Sequence, residues 1–282
     1  MRAGARHLAV ASCAAAALAA GFLSGMLDQQ YLYFPDPLER ADWARASGLP
    51  LEDVRMRAED GVELHGWFIE APEARAALLW CHGNAGNISH RLENLRLVHA
   101  RGYSVLIFDY RGYGDSGGRP SEPGLHADAE AAFRHLTEAR GVPPRRLILF
   151  GRSLGAAVAG TLAARHGDVA GLILETPFPS VEAVARSLYG GLPVHRLLRA
   201  RFDLRRDLAR VRVPVLVVHG DRDRIIPFAL GEEVFAAAGE PKRFYRIAGA
   251  DHNDTYVIGG AAYFDALDDF ITFCLNPASS AP

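Results

Sequence analysis

The residue best placed for nucleophilic chemistry is Ser153, at the centre of a Gly-x-Ser-x-Gly pentapeptide at 151–155. This pattern is typical of a nucleophile elbow, in which a strand turns sharply into a helix and exposes a serine hydroxyl. An apolar, β-favouring run at 147–150 precedes the pentapeptide, and the alanine-rich stretch 154–165 that follows it is suited to a helix. The motif and its context therefore predict that Ser153 attacks a carbonyl group.

A serine hydroxyl is a weak nucleophile until a base accepts its proton, and that base needs a third group to fix its tautomer. With this kind of elbow, the acid precedes the histidine along the chain. His252 lies on the loop after the last predicted strand and is the predicted base. His166 ends the helix after the elbow and His219 lies in a strand ahead of the acid, so neither fits this order. Asp221 and Asp223 are both candidates for the acid, because either aspartate can instead cap the next turn.

Acyl transfer also requires hydrogen-bond donors for the negative charge that develops on the substrate oxygen. With a nucleophile elbow these are backbone N–H groups, one from the residue after the serine and one from the loop that follows an earlier strand in the chain. The first is Leu154. The loop at 82–87 supplies the second, which we assign to Asn84, with Gly83 and Ala85 as alternatives one residue away.

Two other kinds of site are not expected. The glycines at 112–117 have the spacing of a dinucleotide-binding loop, but that loop must open a helix, and the Gly- and Pro-containing segment 118–123 prevents one from starting there. The chain has no His-Glu-x-x-His motif and no paired Cys-x-x-Cys. We therefore expect neither a cofactor nor a metal ion.

Five motifs together resemble the α/β-hydrolase superfamily, and in particular its membrane-anchored branch related to bud-emergence and abhydrolase-domain proteins. They are His-Gly-Asn-Ala-Gly-Asn at 82–87, Asp-Tyr-Arg-Gly-Tyr-Gly-Asp-Ser at 109–116, the pentapeptide at 151–155, Gly-x-x-Asp at 220–223 and His-Asn-Asp at 252–254. The similarity runs from about Tyr31 to Phe273. It implies that Asp223, at the Gly-x-x-Asp position, is the acid of a Ser153–Asp223–His252 triad.

The resemblance also implies a reaction class, hydrolysis through an acyl-enzyme. Carboxylic esters, including lipid-like or acylated ones, are the expected substrates, and thioesters of proteins or lipids and then peptides or amides are the alternatives, since one fold serves many substrates. An interpretation of another class is a hydrolase-like scaffold that binds partners without catalysis. Such scaffolds usually lack a triad residue, and none is missing here.

Apolar runs alternate with helical stretches, which predicts an α/β-hydrolase fold with a mostly parallel eight-stranded sheet and helices on both faces. The strands are expected at 54–57 and 62–69, paired as a hairpin, and near 77–81, 104–109, 147–150, 170–175, 214–219 and 243–248. Helices are expected in the gaps between them, among them one over 88–101 and a last one over 262–274. The gap that holds a lid in this architecture, about 177–212, is short, which predicts a minimal cap and an open active site. Its eight arginines between 186 and 212 indicate a solvated helical face, or a basic surface for anionic lipid or substrate.

The N-terminus carries an uncharged stretch of twenty residues, Leu8–Leu27, preceded by Arg2 and Arg6 and followed by Asp28. It is long for a signal-peptide core and just long enough to span a bilayer. Because flanking arginines stay in the cytoplasm, the rest of the chain is expected outside it, on the periplasmic or extracellular side. The alternative is a secreted protein cleaved after 17–19, and a purified native protein beginning at position 20 or later would contradict the anchor.

The predicted organisation is an anchor or signal segment at 1–30, a catalytic domain at 31–275 and a tail at 276–282. The formal net charge of −2 gives no reason to expect nucleic acid as a partner. The expected partners are a small-molecule or acylated substrate and, through the N-terminal segment, a membrane. No obligate protein partner is evident from the sequence.

Overall fold

The structure, a computed structural model, describes residues 25–38, 48–190, 192 and 194–276. Most of the Leu8–Leu27 segment, its alternative cleavage site and the tail beyond 276 lie outside these residues, so the anchor, its orientation and these segment boundaries stay predictions. Within the described ranges, no helix is both long enough and apolar enough to cross a membrane.

An eight-stranded sheet forms the centre of the molecule. Its strands are β1 (Leu51–Arg57), β2 (Glu63–Ile69), β3 (Ala77–Cys81), β4 (Ser104–Phe108), β5 (Leu147–Arg152), β6 (Gly171–Glu175), β7 (Val215–Gly220) and β8 (Lys242–Ile247). Their spatial order is β8-β7-β6-β5-β3-β4-β2-β1. The pairs β1–β2 and β2–β4 are antiparallel and the others are parallel, which confirms the predicted mostly parallel sheet.

Both faces of the sheet are covered by helices. The helices are α1 (Leu92–His99), α2 (Glu122–Arg134), α3 (Leu154–Arg165), α4 (Val181–Leu188), α5 (Leu204–Leu208), α6 (Phe228–Ala237) and α7 (Thr255–Leu275). Alternate residues of a strand point to opposite faces, and here Leu79 and Leu149 join one apolar cluster whereas Trp80 and Phe150 join the other. The first cluster is closed by α2, α3, α5 and α6, and the second by α1 and α7. This two-layer burial explains why the central strands read as continuous apolar runs.

Two helices differ from their predicted extents. The helix expected over 88–101 begins with a 3-10 turn, Ile88–Arg91, capped by the Asn87 side chain, and becomes an α-helix only at Leu92. The last helix was expected from 262 but begins at Thr255 and kinks at Gly260, where φ is +52°. The sequence pattern does not predict the first turns of this helix, because they contain the glycine pair at 259–260 and glycine is a poor helix former.

The segment between β6 and β7 is the cap. It contains α4, a 3-10 turn at Val194–Leu197 and the short α5, which confirms the prediction of a minimal cap. Some of its arginines pair within the cap, since Arg186 lies 2.7 Å from Glu182 and Arg210 lies 2.7 Å from Asp207. These contacts are those of a solvated helical face.

A close approach between β3 and α3 sets the position of the elbow. A Cβ atom added to Gly155 would lie 2.0 Å from the Cys81 carbonyl oxygen and 2.5 Å from that of His82. Both obstacles are backbone atoms of a buried strand end, so they cannot rotate away. The start of α3 can therefore rest against β3 only because residue 155 has no side chain.

We expect Gly155→Ala to lower the free energy of unfolding by about 3 kcal/mol, the upper part of the usual range for overpacking. Gly167→Ala is the matched control, because a Cβ there has no atom within 4 Å. Urea unfolding of both variants measures the difference. Equal stabilities of the two variants would contradict the proposed contact.

Candidate active site

Ser153 occupies the turn between β5 and α3. Its backbone has φ 54° and ψ −118°, a positive φ that is unusual for a residue with a side chain. Its N–H donates to the Glu175 carbonyl of β6 at 2.9 Å, and its own carbonyl accepts from the Ala156 N–H at 2.9 Å. The turn is thus fixed on both sides, and it presents the serine side chain at the carboxyl edge of the sheet.

The structure brings Ser153, His252 and Asp223 together. The Nε2 atom of His252 lies 3.1 Å from Ser153 Oγ, and its Nδ1 atom lies 2.7 Å from Asp223 Oδ2. The three residues follow β5, β8 and β7, and the carboxyl ends of parallel strands meet at one edge of a sheet. With Nδ1–H donated to the carboxylate, Nε2 is left as an acceptor for the serine hydroxyl.

The Asp223 carboxylate is buried and surrounded by donors. Its Oδ1 atom accepts the N–H groups of Ile225 at 2.9 Å and Ile226 at 2.7 Å. Its Oδ2 atom accepts from His252 and also lies 3.3 Å from His219 Nε2. Burial raises the pKa of this carboxyl, but the hydrogen bonds from His219, His252 and Ile226 outweigh burial and hold the pKa well below its usual value. Asp223 therefore stays ionised at neutral pH.

The alternative acid, Asp221, lies apart from the imidazole. Its carboxylate accepts from the Arg246 guanidinium at 2.6 Å and 3.0 Å and from the Gly249 N–H at 2.7 Å. These bonds fix the loop after β8. The structure therefore separates the two aspartates, giving Asp223 the contact with His252 and Asp221 a contact at the surface.

His219 is not a base, as the order of residues in the sequence predicts, but it contacts the acid, which the sequence did not predict. Its Nε2–H donates to the Ile226 carbonyl at 2.9 Å and lies 3.3 Å from Asp223 Oδ2, the oxygen that also accepts from His252. The imidazole is fully buried at the end of β7. The signal available in the sequence was its place at the end of the strand that leads into Gly-x-x-Asp.

Arg152, the variable residue before the serine, was also missed. Its guanidinium donates to the His252 carbonyl at 2.6 Å and to the Asn253 side-chain oxygen at 3.1 Å, and its Nε lies 3.8 Å from the Glu175 carboxylate. Glu175 in turn accepts the hydroxyl of Thr255, the first residue of α7. This buried group of charges ties the strand that carries the serine to the loop that carries the histidine.

The predicted oxyanion residues lie beside the serine and line the same cavity. Leu154 is the first residue of α3, so its N–H is one of those that a helix leaves without an intrahelical acceptor. Asn84 is held through its carbonyl, which accepts the Phe34 N–H and the Tyr113 hydroxyl at 2.9 Å each, and through its side chain, which donates to the Leu32 carbonyl at 3.2 Å. These bonds fix the Asn84 carbonyl and side chain, and the donor role of both N–H groups stays a prediction.

The loop that carries Asn84 is supported by buried polar groups. His82 is fully buried, which lowers its pKa to about 3 and keeps the ring neutral. The Nδ1–H of His82 donates to the Gly83 carbonyl at 2.7 Å, and the backbone carbonyl of His82 accepts the Tyr110 hydroxyl at 3.0 Å. The Asp109 carboxylate accepts the Ile88 N–H at 3.0 Å. The backbone at 82–88 is thereby held rigid next to the serine.

A cavity of about 520 Å³ opens at the serine. In the part of the chain that the structure describes, it is lined by Leu27, Tyr31, Leu32, Asn84, Ser153, Leu154, Phe178, Val181, Val184, Ala185, Leu188, Tyr189, Leu197, Leu198, Ile225 and Ile226. The cap supplies one wall and the N-terminal residues 27, 31 and 32 supply another. The site is thus more covered than the short cap alone suggested, because the sequence pattern did not place the N-terminal segment against it.

Among the residues with described positions, no group of three or more His, Cys, Asp or Glu side chains could hold a metal ion. The glycines at 112–117 form a tight loop in which the Gly112 N–H donates to the Gly117 carbonyl at 2.8 Å. The next helix, α2, starts only at Glu122 and is capped by the Ser121 side chain.

The chain is similar to known proteins both in sequence and in fold. Residues 72–192 match the family model described as serine aminopeptidase, S33. The chain is 41% identical to the uncharacterized protein Rv2307c of Mycobacterium tuberculosis over 91% of its length and 92% of the relative. It is 32% identical to protein bem46 of Schizosaccharomyces pombe, with 94% and 92% covered, and 36% identical to the α/β-hydrolase domain-containing protein WAV2 of Arabidopsis thaliana, with 78% of each covered. A solved esterase of Pyrococcus furiosus shares the fold, with a TM-score of 0.71 at 18% identity, over 86% of this chain and 97% of that one.

Proposed function

The chain belongs to the α/β-hydrolase family that also contains bem46 and WAV2, and we propose that it is a serine esterase that forms its acyl-enzyme on Ser153. The observation that carries the proposal is the His252 imidazole, which bridges Ser153 Oγ at 3.1 Å and Asp223 Oδ2 at 2.7 Å. A histidine held in this way can accept the serine proton and keep the resulting charge next to an ionised carboxylate.

The proposed reaction has two halves. In the first, Ser153 Oγ attacks the ester carbonyl carbon while its proton passes to His252 Nε2, and the charge on the carbonyl oxygen is stabilised by the N–H groups of Leu154 and Asn84. The imidazolium then protonates the departing alkoxide, which leaves as an alcohol. In the second half, His252 deprotonates a water molecule, which attacks the acyl carbonyl carbon. The bond from that carbon to Ser153 Oγ then breaks, the imidazolium returns its proton to Oγ, and the carboxylic acid leaves.

The choice of an ester over a peptide rests on the side chains that line the cavity. The aminopeptidase name of the matching family model favours peptide cleavage as a second candidate. A free α-amino group is cationic and, when bound away from water, needs an anionic partner. Among the described lining residues none is aspartate or glutamate. The lining therefore suits an uncharged, apolar acyl group, attached as an ester or, as the next alternative, as a thioester.

The proposal is tested by labelling with a fluorophosphonate, followed by intact-mass measurement and peptide mapping. We expect one label per chain, located on Ser153, together with turnover of p-nitrophenyl acetate and none of leucine p-nitroanilide. Preferred turnover of the anilide would establish the peptidase instead. A chain that neither becomes labelled nor turns over any substrate would be the non-catalytic scaffold.

A further inference from the structure

We propose that the cavity at Ser153 binds an unbranched acyl chain, and that the N-terminal segment around Leu27 is one wall of this pocket and sets its selectivity for chain length. The proposal rests on the proposed function, because it names the acyl group of the ester that Ser153 attacks. It goes beyond that function in assigning substrate selection to residues at the start of the described chain.

The walls of the cavity match a hydrocarbon chain. On α4, Val181, Val184, Ala185 and Leu188 all line the cavity, and their spacing puts them on one face of the helix. No lining residue in the described part of the chain is charged. A lining of this kind offers no compensation to a charged or strongly polar ligand, whereas it removes methylene groups from water.

The volume is much larger than a short acyl group needs. About 520 Å³ lies within the usual range of small-molecule pockets. At roughly 30 Å³ for each water-sized group, the cavity holds about 17 such groups. An acyl chain of about ten carbons therefore fits with space to spare. The acyl group stays attached to Ser153 through both halves of the reaction, so it is the part of the substrate that gains most from this space.

The exposure of the lining residues differs between a buried part and an open part of the cavity. Val181 and Ala185 are buried, with 5% and 6% of their surface exposed. Tyr31, Leu188 and Leu197 are exposed by 51% to 60% while still lining the cavity. Large exposed apolar side chains grouped at one site are typical of a surface that a ligand covers. The far end of a long acyl chain would lie against them.

The N-terminal wall is attached by specific bonds. The buried Asp28 carboxylate accepts the cap N–H groups of Arg199 at 2.8 Å and Ala200 at 3.0 Å. Further along, Phe34–Pro35 pairs in parallel with Ala85–Gly86, next to the predicted oxyanion residue Asn84. The segment between these two attachments is therefore fixed to the cap at one end and to the active-site loop at the other, and it carries Tyr31 and Leu32 into the cavity. Leu27, which directly precedes Asp28 in the chain, lines the same cavity.

The first experiment measures kcat/KM of the full-length chain for p-nitrophenyl acetate, butyrate, hexanoate and octanoate. We expect a rise of up to about fourfold per added methylene, the factor equivalent to ~0.8 kcal/mol per buried CH2. If kcat/KM stays flat or falls from acetate to octanoate, the proposed pocket is contradicted. If fluorophosphonate still labels Ser153 in a separate sample of the same protein, that result does not contradict the proposed esterase.

Variants of the two walls test which residues set the selectivity. Ala185→Leu fills the buried part of the cavity and should lower the octanoate-to-acetate ratio of kcat/KM at least about tenfold, as expected for methylene-scale changes in an apolar pocket. Ser187→Leu, on the exposed side of α4, is its control. Leu27→Ala should lower the octanoate-to-acetate ratio about fivefold, and Gln30→Ala, exposed on the same segment and outside the lining, should not. An unchanged ratio in Leu27→Ala would remove the N-terminal segment from the proposal.

A binding measurement separates the pocket from catalysis. Fluorescence of 11-(dansylamino)undecanoate should show saturable binding that decanoate competes away and that Ala185→Leu weakens. Binding without any turnover or labelling would support the pocket and contradict the proposed function. Absence of saturable binding would contradict the pocket.

Discussion

Replacing Ser153 by alanine is expected to lower kcat for ester hydrolysis by on the order of 10⁵-fold and to leave KM nearly unchanged. The reason is that the hydroxyl is the group that becomes acylated, and the oxygen 3.1 Å from His252 Nε2 has no substitute once it is removed. The residual rate would come from binding and from the N–H groups at the oxyanion site alone. Stopped assays with p-nitrophenyl butyrate at high enzyme concentration measure the difference, and retained dansyl-undecanoate binding shows that the variant is folded.

Comparing the stabilities of Ser153→Ala and Ser153→Gly tests whether the backbone at this position is strained. Ser153 has φ 54° and ψ −118°, a conformation that only glycine adopts without strain, and such residues cost about 1–3 kcal/mol. Alanine keeps this strain and glycine releases it. Although glycine in a regular element is usually about 0.5–1 kcal/mol less stable than alanine, we expect Ser153→Gly to be more stable than Ser153→Ala by about 1–2 kcal/mol. This corresponds to a Tm higher by about 2–8 °C for a domain of this size.

Both variants should be inactive, which makes stability the deciding measurement. A lower Tm for the glycine variant than for the alanine variant would show that the elbow is not strained at Ser153. A higher Tm would mean that the protein maintains a strained turn at the residue that performs the chemistry. Strain of this kind persists only where surrounding bonds fix it, as the contacts with Glu175 and Ala156 do here.

The parts of the fold that the sequence could predict are those with local signals. The central strands are uninterrupted apolar runs, and the helix Leu154–Arg165 has the predicted bounds because glycine and alanine mark its start and its buried face. Ser153 and His252 were identified in the same way, since each lies in a turn just after a strand, whereas the choice of Asp223 over Asp221 rested on the resemblance at Gly-x-x-Asp. Parallel strands bring such turns to one edge of the sheet, which is why these three residues lie together.

Contacts that depend on distant segments were beyond the reach of the sequence. Arg152 donates to the carbonyl of a residue 100 positions away. Residues 25–30 were assigned to the end of the anchor or signal segment, and nothing in the sequence shows that Asp28 bonds to backbone 171 and 172 positions along the chain. These contacts depend on how the loops pack against one another. Periodicity in the sequence predicts helices and strands, but it does not predict that packing.

Asp223→Asn is expected to lower kcat by on the order of 10⁴-fold at neutral pH, by fixing the wrong tautomer of His252. In the native carboxylate one oxygen accepts the N–H groups of Ile225 and Ile226, and the other accepts His252 Nδ1–H. An asparagine has one oxygen, which the two N–H groups would retain, so its NH2 would face the imidazole. Nδ1 would then become an acceptor, the proton would move to Nε2, and the ring could no longer accept the proton of the serine.

Asp221→Asn is the matched control, because it removes the same charge two residues away. Its carboxylate bonds to Arg246 and Gly249 at the surface, so kcat should change no more than about twofold. Stability gives an independent check on Asp223. Because its pKa is held below the usual value in the folded state, its carboxylate stabilises the fold above the unfolded pKa of about 3.9, and this contribution disappears as pH falls through the folded pKa. The stability gap between the native chain and Asp223→Asn should therefore narrow as pH is lowered below 4, and a large loss of kcat in Asp221→Asn with little in Asp223→Asn would reverse the assignment of the acid.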